Sequence, residues 1–275
     1  MKVGEAIMAQ RLVQMQRPAL LALLAVFFAS GGAARADTAT ECTLIKFCYC
    51  VDVGLKGVID QQVAAVREAI GKQKAQGKAI GYMSIPISTI AGSYYGVNVK
   101  VGTEVKERVE SRFGPNDAWI LNPAATQAAL PPGASGADYM LMWTKVLEGR
   151  TGLGEDFDFV YFVGPSEFAR HFSLDGRADM ERLDAYYDGL VKTDPDLGKI
   201  DKKSFREYYA LRASVAFSFG SHDEWNIVRA INEARRASKD YGLARELGVF
   251  FDGRAVAPGL YETPIAAGTA GACPK

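Results

Sequence analysis

Short β-rich runs alternate with segments of helical period along this chain. Thr43 to Val53 (TLIKFCYCVDV) reads as a strand, and Leu55 to Lys78 repeats apolar residues at Val58, Val63, Val66 and Ile70 with Lys and Gln opposite, a helix ended by Gly77. Ala79 to Ile85 is a short apolar strand closed by Pro86. Asn98 to Phe113 reads as a charged amphipathic helix stopped by Gly114-Pro115, and Ala118 to Leu121 as the next strand. Asp138 is placed to cap a helix over Tyr139 to Leu147, and Phe157 to Val163 is a buried strand closed by Gly164-Pro165. Ala178 to Lys192 and Ser204 to Phe217 read as helices around a polar stretch. Asp223 to Lys239 is a further helix, Gly248 to Phe251 the last strand, and the tail from Ala255 extended.

That alternation predicts an α/β fold, a flavodoxin- or Rossmann-like three-layer sandwich with a mostly parallel sheet. No repeat or linker divides it, so a single domain over 37–275 is expected, with a helical insertion at about 166–217 and a tail at about 255–275. In such sheets ligands bind beyond the carboxyl ends of the strands, which makes the loop residues there candidates.

The first 36 residues read as an address. Lys2, Arg11 and Arg17 precede an apolar run of 11 residues, Ala19 to Ala29, followed by Ala34-Arg35-Ala36 in the small-x-small form of a signal-peptidase site. The run is shorter than the roughly 20 residues a spanning helix needs. The expectation is a signal peptide and a periplasmic or secreted protein with no stable membrane insertion after cleavage.

Composition removes some classes and leaves others. The 275 residues are 48% apolar and 23% charged, which excludes a disordered or collagen-like chain. Lys plus Arg equals Asp plus Glu at 32 each, so nothing argues for a nucleic acid polymer as partner, while homo-oligomerisation is left open. Four cysteines, Cys42, Cys48, Cys50 and Cys273, suit disulfides in an oxidising compartment. Cys48 and Cys50 share one side of a strand and are poor partners for each other, so the tail Cys273 is expected to bond one of them. Their spacing lacks the second half of a metal site, and no metal or cofactor is expected. No dinucleotide fingerprint, phosphate loop or serine-hydrolase elbow occurs.

Four loops should meet at the ligand edge. The first runs from Ser84 through Ser88 to Tyr95 and Asn98, where Asn98 either caps the following helix or lines a site. The second begins at Asn122 and the third at Gly164. The fourth, Ser218 to Asn226, contains Ser221-x-x-Glu224, which has the spacing of a capping box, with Asp223 suited to a first helical turn. The functional reading of the same residues is that Asp223 and Glu224, in unlike surroundings, divide into nucleophile and proton donor.

The order of these motifs resembles nucleoside 2-deoxyribosyltransferase-like proteins over residues 79–251. The resemblance is carried by Gly81-Tyr82-Met83-Ser84-Ile85-Pro86-Ile87-Ser88, by Asn122-Pro123-Ala124, by Asp138-Tyr139-Met140 followed by Asp158 to Phe162, and by Gly220-Ser221-x-x-Glu224 with Leu247-Gly248-Val249. It implies a flavodoxin-like fold with a nucleoside or nucleotide pocket and Glu224 attacking the anomeric carbon of the sugar. Tyr82, Ser84 and Asn98 would line the sugar or phosphate side, and Asp138 or Tyr139 would face the base. The chain departs from that pattern in its leader, in the insertion of some 50 residues, and in Ser218-Phe219 where an acid is usual. The rival reading is a non-catalytic periplasmic ligand-binding or envelope-associated protein on the same fold.

Overall fold

Strand β3 (Ala79–Ser84) is buried from Ile80 to its end, which is why its sequence carries no charge. In the computed structural model, which describes residues 37–87, 91–125, 128–239 and 246–274, it lies inside a five-stranded sheet. The other strands are β4 (Ala118–Leu121), β5 (Phe159–Phe162), β6 (Gly248–Phe251) and β7 (Arg254–Ala255). The order is β4-β3-β5-β6-β7, parallel throughout except for the antiparallel edge strand β7. This is the α/β sandwich expected from the sequence. Residues 1–36, read from the sequence as a signal peptide, and Ser88 lie outside the described residues, and the described residues from 37 on belong to one compact unit.

Helices cover both faces. Helices α1 (Lys56–Lys74), α3 (Gly136–Glu148) and α7 (Phe219–Ala237) bury Ile59, Val63, Met140, Trp143, Ile227 and Ile231 in one core. Helices α2 (Tyr95–Phe113), α4 (Pro165–His171), α5 (Asp179–Leu190) and α6 (Lys202–Leu211) build the other around Val101, Val105, Phe168, Phe172 and Phe205. The chain leaves β3 toward β4, then crosses back through α3 to β5 and later β6. The connections from neighbouring strands β3 and β5 therefore depart in opposite directions, and a crevice opens at their carboxyl ends.

Several expectations are corrected. Thr43 to Val53 is not a strand of the parallel sheet. Residues 38–52 form a separate hairpin, β1 (Thr38–Cys42) against β2 (Cys48–Asp52), that packs Tyr49 and Val51 onto the α1/α3/α7 core. β-Branched content marks a strand but not its partner, and here the partner lies five residues upstream. Cys42–Cys48 staples the hairpin and Cys50–Cys273 ties the tail to it, so the expected bond from Cys273 goes to Cys50. Helix α2 starts at Tyr95, which puts Asn98 a turn inside it rather than at its cap. Helix α3 is capped by Ser135, and Asp138 is the reciprocal partner of that capping box. Ser204 to Phe217 is not one helix, because α6 ends at Leu211 and a 3-10 turn follows at Val215–Phe217. The tail is not wholly extended, since after the edge strand β7 it forms a short helix α8 (Pro258–Tyr261).

No helix among the described residues is long and apolar enough to cross a membrane. The two disulfides fit a protein of an oxidising compartment.

Candidate functional site

The start of α7 meets the end of β3. Ser218 caps the helix, its hydroxyl accepting from the Ser221 amide at 3.4 Å, so Ser221 and Glu224 do not form the expected capping box. Two serines three residues apart compete for one cap, and the upstream one has the extended backbone that a cap requires. Glu224 is thereby released from a local role and faces the sheet.

On the sheet, Tyr82 and Ser84 alternate onto the same face. The Tyr82 hydroxyl donates to Glu224 Oε1, and the Ser84 hydroxyl donates to Oε2 at 2.5 Å. Glu224 is 6% exposed and Tyr82 and Ser84 are fully buried. Burial pushes the Glu224 carboxyl up to about 7, the Ser84 and Tyr82 hydrogen bonds oppose that rise, and the charge of Asp223 adds to it. Burial, then the charge and hydrogen bond of Glu224, hold the Tyr82 phenol well above its ordinary value, so it remains a donor.

Glu224 opens onto a cavity of about 690 Å³. Its walls come from the end of β3 (Ile85, Ile87), the first residue of α2 (Tyr95), the loop after β4 (Pro123, Ala128, Ala129), helix α3 (Tyr139, Met140, Trp143) and Ser218 to Ser221. Thr269 of the tail closes one side. The volume and the aromatic lining with few polar groups suit a small flat organic ligand. Ser221, in the cavity wall, is 2% exposed, and among the described residues its hydroxyl has no hydrogen-bond partner.

The sequence candidates divide sharply. Tyr95, Tyr139, Ser221 and Glu224 line the cavity, and Tyr82 and Ser84 hold Glu224 from beneath. The others have structural partners. Asp223 is fully buried and accepts from the tail at Gly268, Thr269 and Ala270, so it does not share the cavity with Glu224. Asp138 accepts from Ser135 and from the Asp52 amide, joining α3 to the hairpin instead of facing a base. Asn98 donates to Ser93 and accepts from Tyr209, joining α2 to the insertion. Asn122 accepts from the Ala124 amide at 3.0 Å in its own turn. Gly164 caps α4, where a Cβ would overlap the Asp252 side chain.

Trp143 and Thr269 line the cavity without having been named from the sequence, and Met140 and Phe219, named only for the family resemblance and not as site residues, line it too. Their helical spacing within α3 marks Met140 and Trp143 as one face, but nothing local distinguishes a cavity wall from core. The two histidines lie elsewhere. His171 contacts Glu104 and Tyr186, and His222 meets the Ala216 carbonyl at 2.8 Å. A second depression of about 460 Å³ beside α1 and α3 is built from groups with structural work. Arg67 donates to the Lys145 and Gly149 carbonyls at the end of α3, and Glu148 accepts from the Ile45 amide.

The arrangement defines a class: an α/β sandwich with a buried carboxylate at its topological switch point, held by neutral hydroxyls and facing an aromatic cavity. No family model, curated protein or solved structure matches the chain.

Proposed function

We propose that the protein cleaves or transfers at the N-glycosidic bond of a nucleoside or nucleotide, with Glu224 as nucleophile. The observation that carries this reading is the Glu224 carboxylate, which accepts from the Tyr82 and Ser84 hydroxyls and opens onto the cavity lined by Tyr95, Tyr139 and Trp143. Aromatic walls suit a base, which stacks at about 1–3 kcal/mol per ring. The Glu224 oxygen forms a bond to the anomeric carbon as the carbon–nitrogen bond breaks, and the electron pair leaves with the base, which takes up a proton from solvent. Water, or a second base, then attacks the same carbon and restores the carboxylate. Asp223 takes no part in these steps, because its carboxylate is engaged by the tail.

The test is chromatographic. The purified oxidised protein is incubated with a panel of nucleosides, nucleotides and NAD, with Glu224→Gln alongside. Freed base from the wild type, reduced at least about 1,000-fold in the variant, is expected, equivalent to about 4 kcal/mol of transition-state stabilisation. Since the nucleophile must be ionised, kcat/KM should rise with pH through about 7. Full turnover in Glu224→Gln would sink the assignment.

One observation favours a second reading. Both oxygens of Glu224 already accept a hydrogen bond, which suits a carboxylate that recognises a ligand without attacking it. That binding-protein reading gains if nucleosides bind the folded chain and no base is released.

A further inference from the structure

Asp223, beside the proposed nucleophile, holds the C-terminal tail. Its carboxylate accepts from the Gly268 amide at 2.8 Å, the Thr269 amide at 2.7 Å, the Thr269 hydroxyl at 2.6 Å and the Ala270 amide at 2.9 Å. One turn further along α7, the Asn226 side chain pairs with both backbone groups of Ile265, at 3.0 and 3.1 Å. Gly268 approaches Phe219 so closely that a Cβ there would overlap the Phe219 carbonyl. Past Ala270, the Gly271 amide donates to the Cys48 carbonyl and the Cys273 amide to the Thr40 hydroxyl, and the Cys50–Cys273 bond fixes the end. Residues 265–273 are thus a strap across the start of α7, and its Thr269 is a wall of the Glu224 cavity.

The strap has little apolar grip. Its sequence is Ile265-Ala-Ala-Gly-Thr-Ala-Gly-Ala-Cys273, and Ile265 is itself exposed. It is held by the polar clamp at Asp223 and Asn226, by a small contact of Ala270 with the core, by two hydrogen bonds from Gly271 and Cys273 to the hairpin, and by the disulfide, and a segment with so little buried apolar surface is drawn from the part of a fold that opens locally. The second disulfide, Cys42–Cys48, lies within the hairpin on which Gly271 and Cys273 dock, but that hairpin is already paired along both strands and the bond does not cross to the strap.

We propose that the strap is a redox-dependent wall of the site: reduction of Cys50–Cys273 frees it and uncovers Glu224. This rests on the reading of the cavity as the ligand site, and not on the reaction performed there. A dithiol reductant supplies two electrons and two protons, leaving thiols at Cys50 and Cys273 and a disulfide on the reductant. Asp223 then loses the neutral donors that solvate it and is exposed where the strap had covered it.

The experiment needs no ligand, so its outcome is separable from that of the nucleoside panel. The full chain is labelled with a water-soluble carbodiimide and glycinamide, and modification of Asp223 and Glu224 is followed by mass spectrometry. Oxidised wild type, dithiothreitol-reduced wild type, Cys50→Ser/Cys273→Ser and Cys42→Ser/Cys48→Ser are compared, with circular dichroism recording the fold of each. Labelling of both carboxylates at least about tenfold faster after reduction and in the Cys50/Cys273 variant is the expected result, as for a segment whose opening becomes tenfold more favourable. The Cys42/Cys48 variant should label as the oxidised wild type does. Unchanged labelling of Asp223 in reduced, folded protein overturns the release of the strap, and faster Asp223 with unchanged Glu224 overturns its role as a wall.

Discussion

Two glutamates lie buried under tyrosines on opposite faces of the same sheet. Tyr82 on β3 and Tyr161 on β5 point to opposite sides, because Tyr161 is in register with Met83 rather than Tyr82. Tyr82 donates to Glu224, and Tyr161 donates to Glu167. The difference is the second partner. Glu167 is ion-paired with Arg108, whereas among the described residues the second partner of Glu224 is the neutral Ser84 hydroxyl. A charge-paired carboxylate holds α2, β5 and α4 together. Among the described residues Glu224 has no cation; Asp138 and Asp223 share that, but backbone donors fill them, whereas Glu224 opens onto a cavity, which suits a site rather than a brace.

The largest effect expected of that comparison is a pH dependence. The Glu224 carboxyl is raised by burial from 4.5 to about 7, so between those values the folded protein keeps a proton that the unfolded chain has lost. Stability contributed by this group is full below about 4.5, declines as pH rises through the window, and is constant above about 7. The span corresponds to roughly 3 kcal/mol. Urea unfolding of wild type and Glu224→Gln across pH 4.5–8 reads it directly, since groups common to both proteins cancel. The variant should gain on the wild type as pH rises, and parallel curves would mean that Glu224 is not an uncompensated buried acid.

The opposite glutamate should respond to loss of its cation. Arg108→Ala leaves Glu167 buried beside Tyr161 with its nearest charge partner removed, and Arg170, at 3.9 Å, only partly replaces it. A loss of about 2 kcal/mol in urea unfolding is expected, below the 3–5 kcal/mol of a wholly buried pair because Arg108 is partly exposed. Under the proposed N-glycosidic reaction, turnover should stay within about threefold of wild type once the protein is folded. Loss of turnover with little loss of stability would reverse the roles assigned to the two faces.

The sequence made the sheet and its site legible to different depths. Strand β4 is bounded as its apolar run predicts, since Asn122-Pro123 leaves no other end. Glu224 stood out by its place at the start of a helix near a strand end. Its separation from Asp223 did not, because the division is tertiary: neighbours on a helix point about 100° apart, so one reaches the sheet while the other reaches a tail 45 residues downstream. Asp138 and Asn98 misled in the same way, as polar residues at helix starts whose partners, Asp52 and Tyr209, lie far along the chain. Local pattern names the polar residue, and only the fold names what satisfies it.

The smallest effect expected is also the most specific. Ser84→Ala removes one of the two donors to Glu224 and leaves Tyr82 in place. The lost hydrogen bond favours the ionised acid, so the Glu224 titration should move further above 7. At pH 8.5, where the carboxylate is charged, the variant should be less stable by about 1.5 kcal/mol, the size of a hydrogen bond to a charged group. At pH 5, where the carboxyl is protonated, the cost should fall to about half of that, as for a neutral pair. Equal costs at the two pH values would show that Ser84 supports the strand and not the charge. A cost that grows with pH, together with a pH–turnover midpoint displaced upward, would tie the serine to the ionised form of Glu224, the form in which the two faces of the sheet differ most.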